Sequence, residues 1–161
     1  MEDISIRPFA ETDTEWVVGR HAELYARDVG FDGTFGPLVA GIIAEFIDHH
    51  DPKREAAWIA EQRGKRIGSI FCTHGKSADR ARLRLFLIVP EARGQGLGHQ
   101  LLDTCMAFAK GAGYRHMELW THESHRAACA LYQKFGWQLV DSHPVQSFGV
   151  DLIEQSWDIE L

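Results

Sequence analysis

A run of apolar positions in the middle of the chain predicts a buried central strand that is followed by a helix. Residues 83–89 are apolar at every position except Arg84, which favours a strand covered on both faces. Pro90 ends this strand, and from Leu97 onward the apolar spacing becomes helical. One face of the predicted helix carries Leu97, Leu101, Cys105, Phe108, Ala109 and Ala112, and Gly111 and Gly113 end it.

The same reading of apolar periodicity predicts the other elements. Strands are predicted over residues 4–8, 56–61, 66–73, 116–121, 137–142 and 155–161, and helices over residues 15–25, 35–47 and 126–135. Asp13 and Thr14 are expected to cap the first helix, and a loop through Pro144 and Gly149 is expected between the last two strands. Hairpin-linked strands before a strand–turn–helix unit predict an α/β (α+β) fold with a mixed, mostly antiparallel sheet and helices on both faces.

Composition narrows the class of protein without naming a function. At 161 residues, with 45% hydrophobic and 25% charged positions, the chain is expected to form one globular domain over residues 1–161. The net charge of -6 argues against a nucleic-acid partner. The acidic start argues against a signal peptide. The lack of a long apolar run argues against a membrane span, so no membrane partner is expected. Three widely spaced cysteines in apolar contexts indicate reduced thiols and a cytoplasmic location.

The turn between the central strand and its helix carries alternate glycines, which predicts an anion-binding loop. Gly94, Gly96 and Gly98 remove side chains from the start of a helix, where the first N–H groups have no internal partner. Arg93 adds a cation and His99 a further donor. The helix dipole contributes only about 0.3–1 kcal/mol at an exposed site. Hydrogen bonds to a charged oxygen, at roughly 1.5–3 kcal/mol each, would supply most of the affinity for a diphosphate.

Two familiar phosphate-binding patterns do not fit this loop. The dinucleotide fingerprint needs a different glycine spacing, and a P-loop needs Lys and Ser/Thr after its last glycine, where this chain has His99 and Gln100. An ordinary glycine-rich surface turn is the alternative that carries no ligand. The run Arg93-Gly94-Gln95-Gly96-Leu97-Gly98 does match the pattern Arg/Gln-x-x-Gly-x-Gly/Ala. In this respect the chain resembles the GNAT family of N-acetyltransferases.

The resemblance extends over nearly the whole chain. Residues 6–9 are similar to the family's opening strand, and residues 128–137 match its pattern Ala-x-x-Leu-Tyr-x-Lys-x-Gly-Phe/Trp. Residues 147–157 are similar to acetyltransferase domains that follow MarR-type winged helices in some bacterial regulators. The winged-helix segment is not part of this sequence, so a regulatory role tied to that fusion does not transfer.

The resemblance implies a cosubstrate, acetyl-CoA, and the residues that would hold it. The family's fourth and fifth strands run parallel and splay apart to admit it. Ile88 is implied to contact the pantetheine arm, and the diphosphate is implied to bind at Arg93, Gly94, Gln95, Gly96, Leu97, Gly98 and His99. Tyr132 is implied to stand near the thioester sulfur as the catalytic acid. His125 replaces an Asn of many family members, so it either substitutes as a cofactor donor or leaves that contact absent.

Acetyl transfer to an amine requires a neutral amine, and the base that provides it stays open. Deprotonating a lysine-like amine at pH 7 costs roughly 4.6 kcal/mol, because its pKa is about 10.4. A protonated Tyr132 can donate to the departing thiolate, and the alternative for this tyrosine is a core aromatic with a satisfied hydroxyl. The candidates for the base are Glu118, His122 and Glu123, and a chain of waters is equally compatible. Glu23 and Tyr25 in the first helix are candidates for shaping the acceptor pocket.

Two classes of function therefore remain after the sequence has been read. The first is an acetyl-CoA-dependent N-acetyltransferase with a small-molecule or protein amine as acceptor. The second is a non-catalytic acyl-CoA-binding sensor that acts through a partner surface. No metal is expected, because His122 and His125 lack the spacing of a zinc helix. Members of the family are often dimers, which leaves a homodimer open, and the acidic charge disfavours a tRNA substrate.

Overall fold

The computed structural model describes residues 3–161, which form one seven-stranded sheet and four α-helices. The strands are β1 (Ile4–Pro8), β2 (Ala56–Gln62), β3 (Lys65–His74), β4 (Arg80–Ile88), β5 (His116–His122), β6 (Gln138–Ser147) and β7 (Val150–Glu160). The helices are α1 (Thr14–Val29), α2 (Phe35–His49), α3 (Leu97–Gly111) and α4 (Arg126–Lys134). Within residues 3–161, none of these helices has the length and apolar character that crossing a bilayer requires.

The order of strands across the sheet confirms the predicted mixed, mostly antiparallel architecture. The order is β1-β2-β3-β4-β5-β7-β6, and only the contact between β4 and β5 is parallel. Helices α1 and α2 cover one face, where Val17 and Ile43 pack with Phe71 of β3. Helix α3 covers the other face, where Leu101 packs with Leu83 of β4. The sheet is therefore the middle of three layers, and apolar side chains are buried on both of its faces.

The two parallel strands separate soon after they begin. They pair at only three positions, Arg80 to Arg82 of β4 against His116 to Glu118 of β5. Strand β4 continues to Ile88 and β5 to His122, so the remaining length of each strand has no partner across this seam. The predicted splay of the fourth and fifth strands is thus present, and it leaves β4 less covered than its apolar sequence predicts: Phe86 and Ile88 are only partly buried.

A bulge in β4 accompanies this separation. The register with β3 shifts between Phe71, opposite Arg84, and Ser69, opposite Leu87, so one extra residue lies in β4. Leu85 takes the left-handed conformation with φ of 49°, and its carbonyl oxygen accepts a hydrogen bond from Ser69 Oγ at 2.8 Å. A bulge bends its strand and increases the local twist, which favours divergence from β5.

Asp13 does not act as the predicted helix cap. It occupies the N-cap position of α1, but its carboxylate makes no capping bond to that helix. The fully buried carboxylate instead accepts bonds at 2.8 Å from Arg7 and Arg66 and from the backbone N–H of Ala10. The Arg7 guanidinium in particular holds the pKa of Asp13 well below its usual range. This cluster ties β1 and β3 to the start of α1, and charge pairing outweighs capping at this position.

The predicted loop through Pro144 and Gly149 was wrong, because β6 and β7 continue through it. They form a long hairpin in which Phe148 and Gly149 supply the turn, with φ values of 54° and 78°. Two consecutive positive φ values match the tight turn that suits twisted antiparallel strands. Pro144 is tolerated because β6 is an edge strand, whose outer N–H groups need no partner in the sheet.

Candidate active site

The glycine-rich turn after β4 adopts a conformation that requires glycine at two positions. Gly94 and Gly96 have φ values of 82° and 79°, in the left-handed region that side chains with Cβ disfavour. Gly96 is the N-cap of α3 and makes no side-chain cap, so the free N–H groups of the first turn are not covered by a neighbouring side chain. The loop therefore presents backbone donors at the positive end of a 15-residue helix.

Gly98 is required for a different reason, which is close packing. A Cβ at this position would lie 3.2 Å from Ile88 Cδ1 and 3.2 Å from Leu131 Cδ2. The first turn of α3 consequently sits tightly against the end of β4 and against α4. This contact places the helix N-terminus beside the point at which β4 has left β5.

The other predicted loop residues differ in their surroundings. Arg93 is exposed and its guanidinium has no hydrogen-bonded or ionic partner in residues 3–161, so its cation is available beside the loop. The Gln95 side chain is engaged, accepting a bond from Gln62 Nε2 at 3.0 Å. The His99 ring lies 4.7 Å from the ring of Phe135, which directly follows α4, while the His99 backbone N–H belongs to the first turn of α3.

A cavity of about 270 Å³ opens where β4 and β5 diverge, on the face covered by α1 and α2. Its walls come from α1, α2, β4, β5 and the tip of the β6–β7 hairpin. The apolar part includes Phe31, Phe35, Leu38, Trp120, Phe148 and Leu152. The polar part includes His21, Tyr25, Arg82, Arg84, His122, His125, Tyr132 and Glu154. A largely apolar pocket with a few converging polar groups is the usual form of a small-molecule site.

Tyr132 reaches this cavity from α4, on the opposite face of the sheet. Its ring is almost fully buried among Phe86, Trp137 and Trp157. Its hydroxyl has no hydrogen-bond partner in the described part of the chain. Burial raises the pKa of Tyr132 well above its ordinary value, so the phenol stays protonated at neutral pH. The gap between β4 and β5 thus joins the cavity to a free phenolic donor.

Three histidines and Tyr25 cluster along one wall of the cavity. The rings of His122 and His125 are 3.8 Å apart, and Tyr25 lies 5.0 Å from His125 and 5.9 Å from His21. Burial lowers the pKa of His21 to about 4 and that of His125 to about 3, and it also lowers the pKa of His122. All three imidazoles are therefore neutral at pH 7. The Nε2 atoms of His21 and His122 are buried without a hydrogen-bond partner.

The structure separates the candidates for the base and for the acceptor pocket by their position. His122 and Tyr25 line the cavity, whereas Glu23 and Glu123 are exposed and lie outside its lining. Glu118 is buried beside Arg80, 3.6 Å from its guanidinium, and also lies outside the lining. Of the two cavity residues, His122 is the neutral imidazole with a free nitrogen.

Sequence reasoning missed two arginines of this site and misplaced one tryptophan. Arg82 and Arg84 line the cavity, and the alternation of arginines at 80, 82 and 84 in an apolar strand was the available sign. Trp120, expected in the core, lies at the cavity with the Arg82 guanidinium 3.9 Å from its ring centroid. His125, implied as a cofactor donor, is the N-cap of α4, and its Nδ1 lies 3.3 Å from Thr121 Oγ1 at the cavity wall.

Comparison with known proteins identifies the family. A family model described as the acetyltransferase (GNAT) family matches residues 20–137, which include β4, the glycine loop and α4. The chain belongs to this family. Among curated relatives, N-acetyltransferase family 8 member 3 from Rattus norvegicus is 33% identical over 85 residues, covering 50% of this chain and 37% of that protein. The chain spans 37% and 38% of the length of two such relatives.

Solved structures of similar fold superpose on nearly the whole length of this chain. An acetyltransferase from Streptococcus agalactiae superposes with a TM-score of 0.80 at 18% identity, with 100% of both chains covered. The structure of yncA from Salmonella typhimurium, solved with its cofactor acetyl-CoA, superposes with a TM-score of 0.76 at 20% identity over 99% and 94% of the two chains. At these identities, the likeness establishes the fold.

The neutral histidines predict a loss of stability in mild acid. His21 binds a proton near its ordinary pKa in the unfolded chain but only near pH 4 when folded, so the unfolded state binds more protons between about pH 6.5 and 4. Stability therefore falls as pH falls through this window. We expect His21→Phe to reduce the difference in unfolding free energy between pH 7 and pH 5 by about 2 kcal/mol. Urea denaturation at the two pH values measures this difference.

The matched control for this experiment is His49→Gln, because His49 is exposed at the end of α2. His49→Gln should show the same difference in unfolding free energy between pH 7 and pH 5 as the wild type. An unchanged pH dependence in His21→Phe would show that His21 is not the group that titrates on unfolding.

Proposed function

We propose that this chain is an N-acetyltransferase that transfers an acetyl group from acetyl-CoA to a primary amine. The observation that carries the proposal is the gap between β4 and β5, which links three features. The glycine loop follows the end of β4, Tyr132 lines the cavity from α4, and the cavity opens on the face covered by α1 and α2. A donor and an acceptor bound from opposite faces would meet there.

The loop fits the diphosphate of acetyl-CoA. Gly94 and Gly96 are held in left-handed conformations with nothing within 4 Å of a built Cβ, so the approach to the backbone is open. The N–H groups of Leu97, Gly98 and His99 would bind phosphate oxygens, with Arg93 adding charge. Beyond its pairing with β5, the strand to Ile88 has free backbone groups for the pantetheine arm. Bound acetyl-CoA would supply the acetyl group as a thioester.

Tyr132 is the proposed hydrogen-bond donor to the leaving sulfur. The amine nitrogen attacks the carbonyl carbon, the new C–N bond forms, and the C–S bond breaks with its electron pair on sulfur. A thiol has a pKa of about 8.5, far below the raised pKa of Tyr132, so complete proton transfer from the phenol is unfavourable. Tyr132 therefore acts by donating a hydrogen bond that stabilises the developing thiolate.

His122 is the proposed acceptor of the amine proton. Its Nε2 is buried and unpartnered, and its Nδ1 lies 2.5 Å from Oγ of Ser124, which is exposed. A proton taken up at Nε2 can leave from Nδ1 through Ser124 to solvent. The lowered pKa keeps the imidazole neutral and ready to accept, and it also favours rapid onward release of the proton.

The hairpin tip is proposed to shape the acceptor side. Ser147 and Phe148 belong to the segment that is similar to acetyltransferase domains following MarR-type winged helices, and both line the cavity. The Phe148 ring lies 4.7 Å from Phe31 and 5.0 Å from Phe35. These aromatic contacts close the cavity wall opposite β4. Similarity in this segment therefore bears on which acceptor fits, rather than on cofactor binding.

Cofactor binding is tested by paired glycine substitutions. Gly96 and Gly64 both have positive φ, 79° and 74°, and neither has an atom within 4 Å of a built Cβ. Substitution with valine imposes similar backbone strain at both, but only Gly96 belongs to the loop. We expect calorimetry to show at least about tenfold weaker acetyl-CoA binding for Gly96→Val and wild-type affinity for Gly64→Val. Absence of acetyl-CoA binding by the wild type would overturn the proposed function.

Catalysis is separated from sensing by Tyr132→Phe. The variant keeps the ring packing and removes only the hydroxyl, so acetyl-CoA affinity should persist while kcat falls by about tenfold or more. Tyr114→Phe is the control, since the hydroxyl of Tyr114 donates to Arg54 O at 2.8 Å outside the cavity. Thiol release with an amine panel gives the rates. Equal turnover in Tyr132→Phe and wild type would exclude the proposed role, and acetyl-CoA binding without turnover would favour the sensor.

The role of His122 is tested by the pH dependence of turnover. His122→Gln should lower kcat/KM at pH 7 by about tenfold or more, and the deficit should shrink as pH approaches the pKa of the acceptor amine. The reason is that more acceptor then arrives already deprotonated. Glu123→Gln, at an exposed neighbour, should leave the profile unchanged. A deficit of constant size across pH 6 to about 9.5 would instead indicate a structural effect.

A further inference from the structure

Arg82 and Arg84 lie on the face of the sheet that forms the acceptor cavity. Arg84 is paired across the strands with Phe71, and Phe71 packs with the residues of α1 and α2. Directly opposed residues of an antiparallel pair share a face, so Arg84 and Arg82 point to the side of α1 and α2. Both arginines line the 270 Å³ cavity.

Neither guanidinium has a carboxylate partner within residues 3–161. Burial lowers the pKa of Arg82 to about 10 and also lowers the pKa of Arg84, and the charge of Arg84 lowers that of Arg82 further. Glu118 and Glu154 act on Arg82 through space but form no ion pair with it. Two partly buried cations that repel each other are costly unless an anion joins them.

Arg82 is held in place although it lacks an ionic partner. Its guanidinium stacks 3.9 Å from the centroid of Trp120, and Lys76 Nζ lies 5.2 Å from the same ring. Stacking on an indole fixes the plane of the guanidinium and leaves its N–H edge free for hydrogen bonds. The forked edge matches the two oxygens of a carboxylate.

The cofactor does not account for these two arginines. Leu83, between them, faces the other side of the sheet and packs with Leu97 and Leu101 of α3. The diphosphate loop begins α3 on that side, where Arg93 supplies its own cation. The arginines therefore face the acceptor and not the proposed phosphate site.

We propose that the acceptor is a small amino carboxylate with an apolar side group, whose carboxylate is bound by Arg84 and Arg82. This inference rests on the proposed acetyltransferase function and narrows its substrate class. The apolar group would lie against Phe31, Phe35 and Phe148, which form one wall of the cavity. A lysine side chain of a protein has no carboxylate beside its amine, so protein acceptors fit this cavity less well.

The test compares acceptors that differ only at the carboxyl group. The twenty protein amino acids are assayed with acetyl-CoA beside their decarboxylated amines and their amides, for example L-phenylalanine, 2-phenylethylamine and L-phenylalaninamide. The amide has a more readily deprotonated amine, so preference for the acid would reflect recognition of its carboxylate. We expect at least one apolar amino acid to exceed both analogues by about tenfold or more in kcat/KM.

Substitution of Arg84 assigns that preference to the guanidinium. Arg84→Met should raise KM for the preferred amino acid by about tenfold or more and leave kcat/KM for its decarboxylated amine within about twofold. Arg84→Lys should restore part of the loss, since it keeps the charge without the fork. Arg115→Met, at an exposed arginine outside the cavity, should match the wild type. Calorimetric titration with the same amino acid reports binding independently of turnover.

The outcomes separate this inference from the proposed function. Acetylation of amines without preference for any amino acid would overturn the carboxylate site and leave the acetyltransferase standing. Equal losses for acid and amine acceptors in Arg84→Met would also overturn it. Failure of the wild type to bind acetyl-CoA would overturn the function itself. In that case, amino-acid binding that is lost in Arg84→Met would still support the anion site.

Discussion

The short pairing between β4 and β5 is the constraint on which the rest of this structure depends. Three paired positions join β4 to β5, and beyond these positions the two strands no longer pair with each other. Backbone groups at the separated edges lack sheet partners, so they are available to a bound molecule. The bulge at Leu85 and the tight seat of Gly98 between β4 and α4 keep the opening in one shape. A continuous seven-stranded sheet would have left neither a cavity nor a path between the two faces.

The cavity differs from an ordinary hydrophobic core in its charge state. Its lining contains neutral histidines, a protonated tyrosine, Glu154 and two guanidiniums that form no ion pair with a carboxylate among residues 3–161. Each of these states follows from burial, which penalises the charged form of His and Tyr but cannot neutralise Arg at pH 7. The result is a positive, mostly apolar site beside a protonated phenol. These surroundings are the physical basis for the proposed amino carboxylate acceptor.

Most of the framework could be predicted from local patterns. The apolar runs located all seven strands and all four helices, and the mixed sheet was confirmed by the strand order. Errors arose where a tertiary contact outweighed a local preference. Asp13 has the residue type of a cap but is drawn into ion pairs with Arg7 and Arg66, which are distant in sequence or on other elements. Pro144 reads as a loop residue, yet an edge strand accommodates it.

By itself, the sequence determined the family, the fold class and the glycine loop, because each depends on residues that are adjacent along the chain. Left-handed glycines at 94 and 96 and a helix start at Leu97 are local properties. The cavity beside β4 and β5 was decided only by the tertiary structure, which brings His21, Arg84 and His122 together from three separate elements. Their protonation and their lack of partners depend on burial and on neighbours across the fold. Neither burial nor the neighbours across the fold can be read from the spacing of residues along the chain.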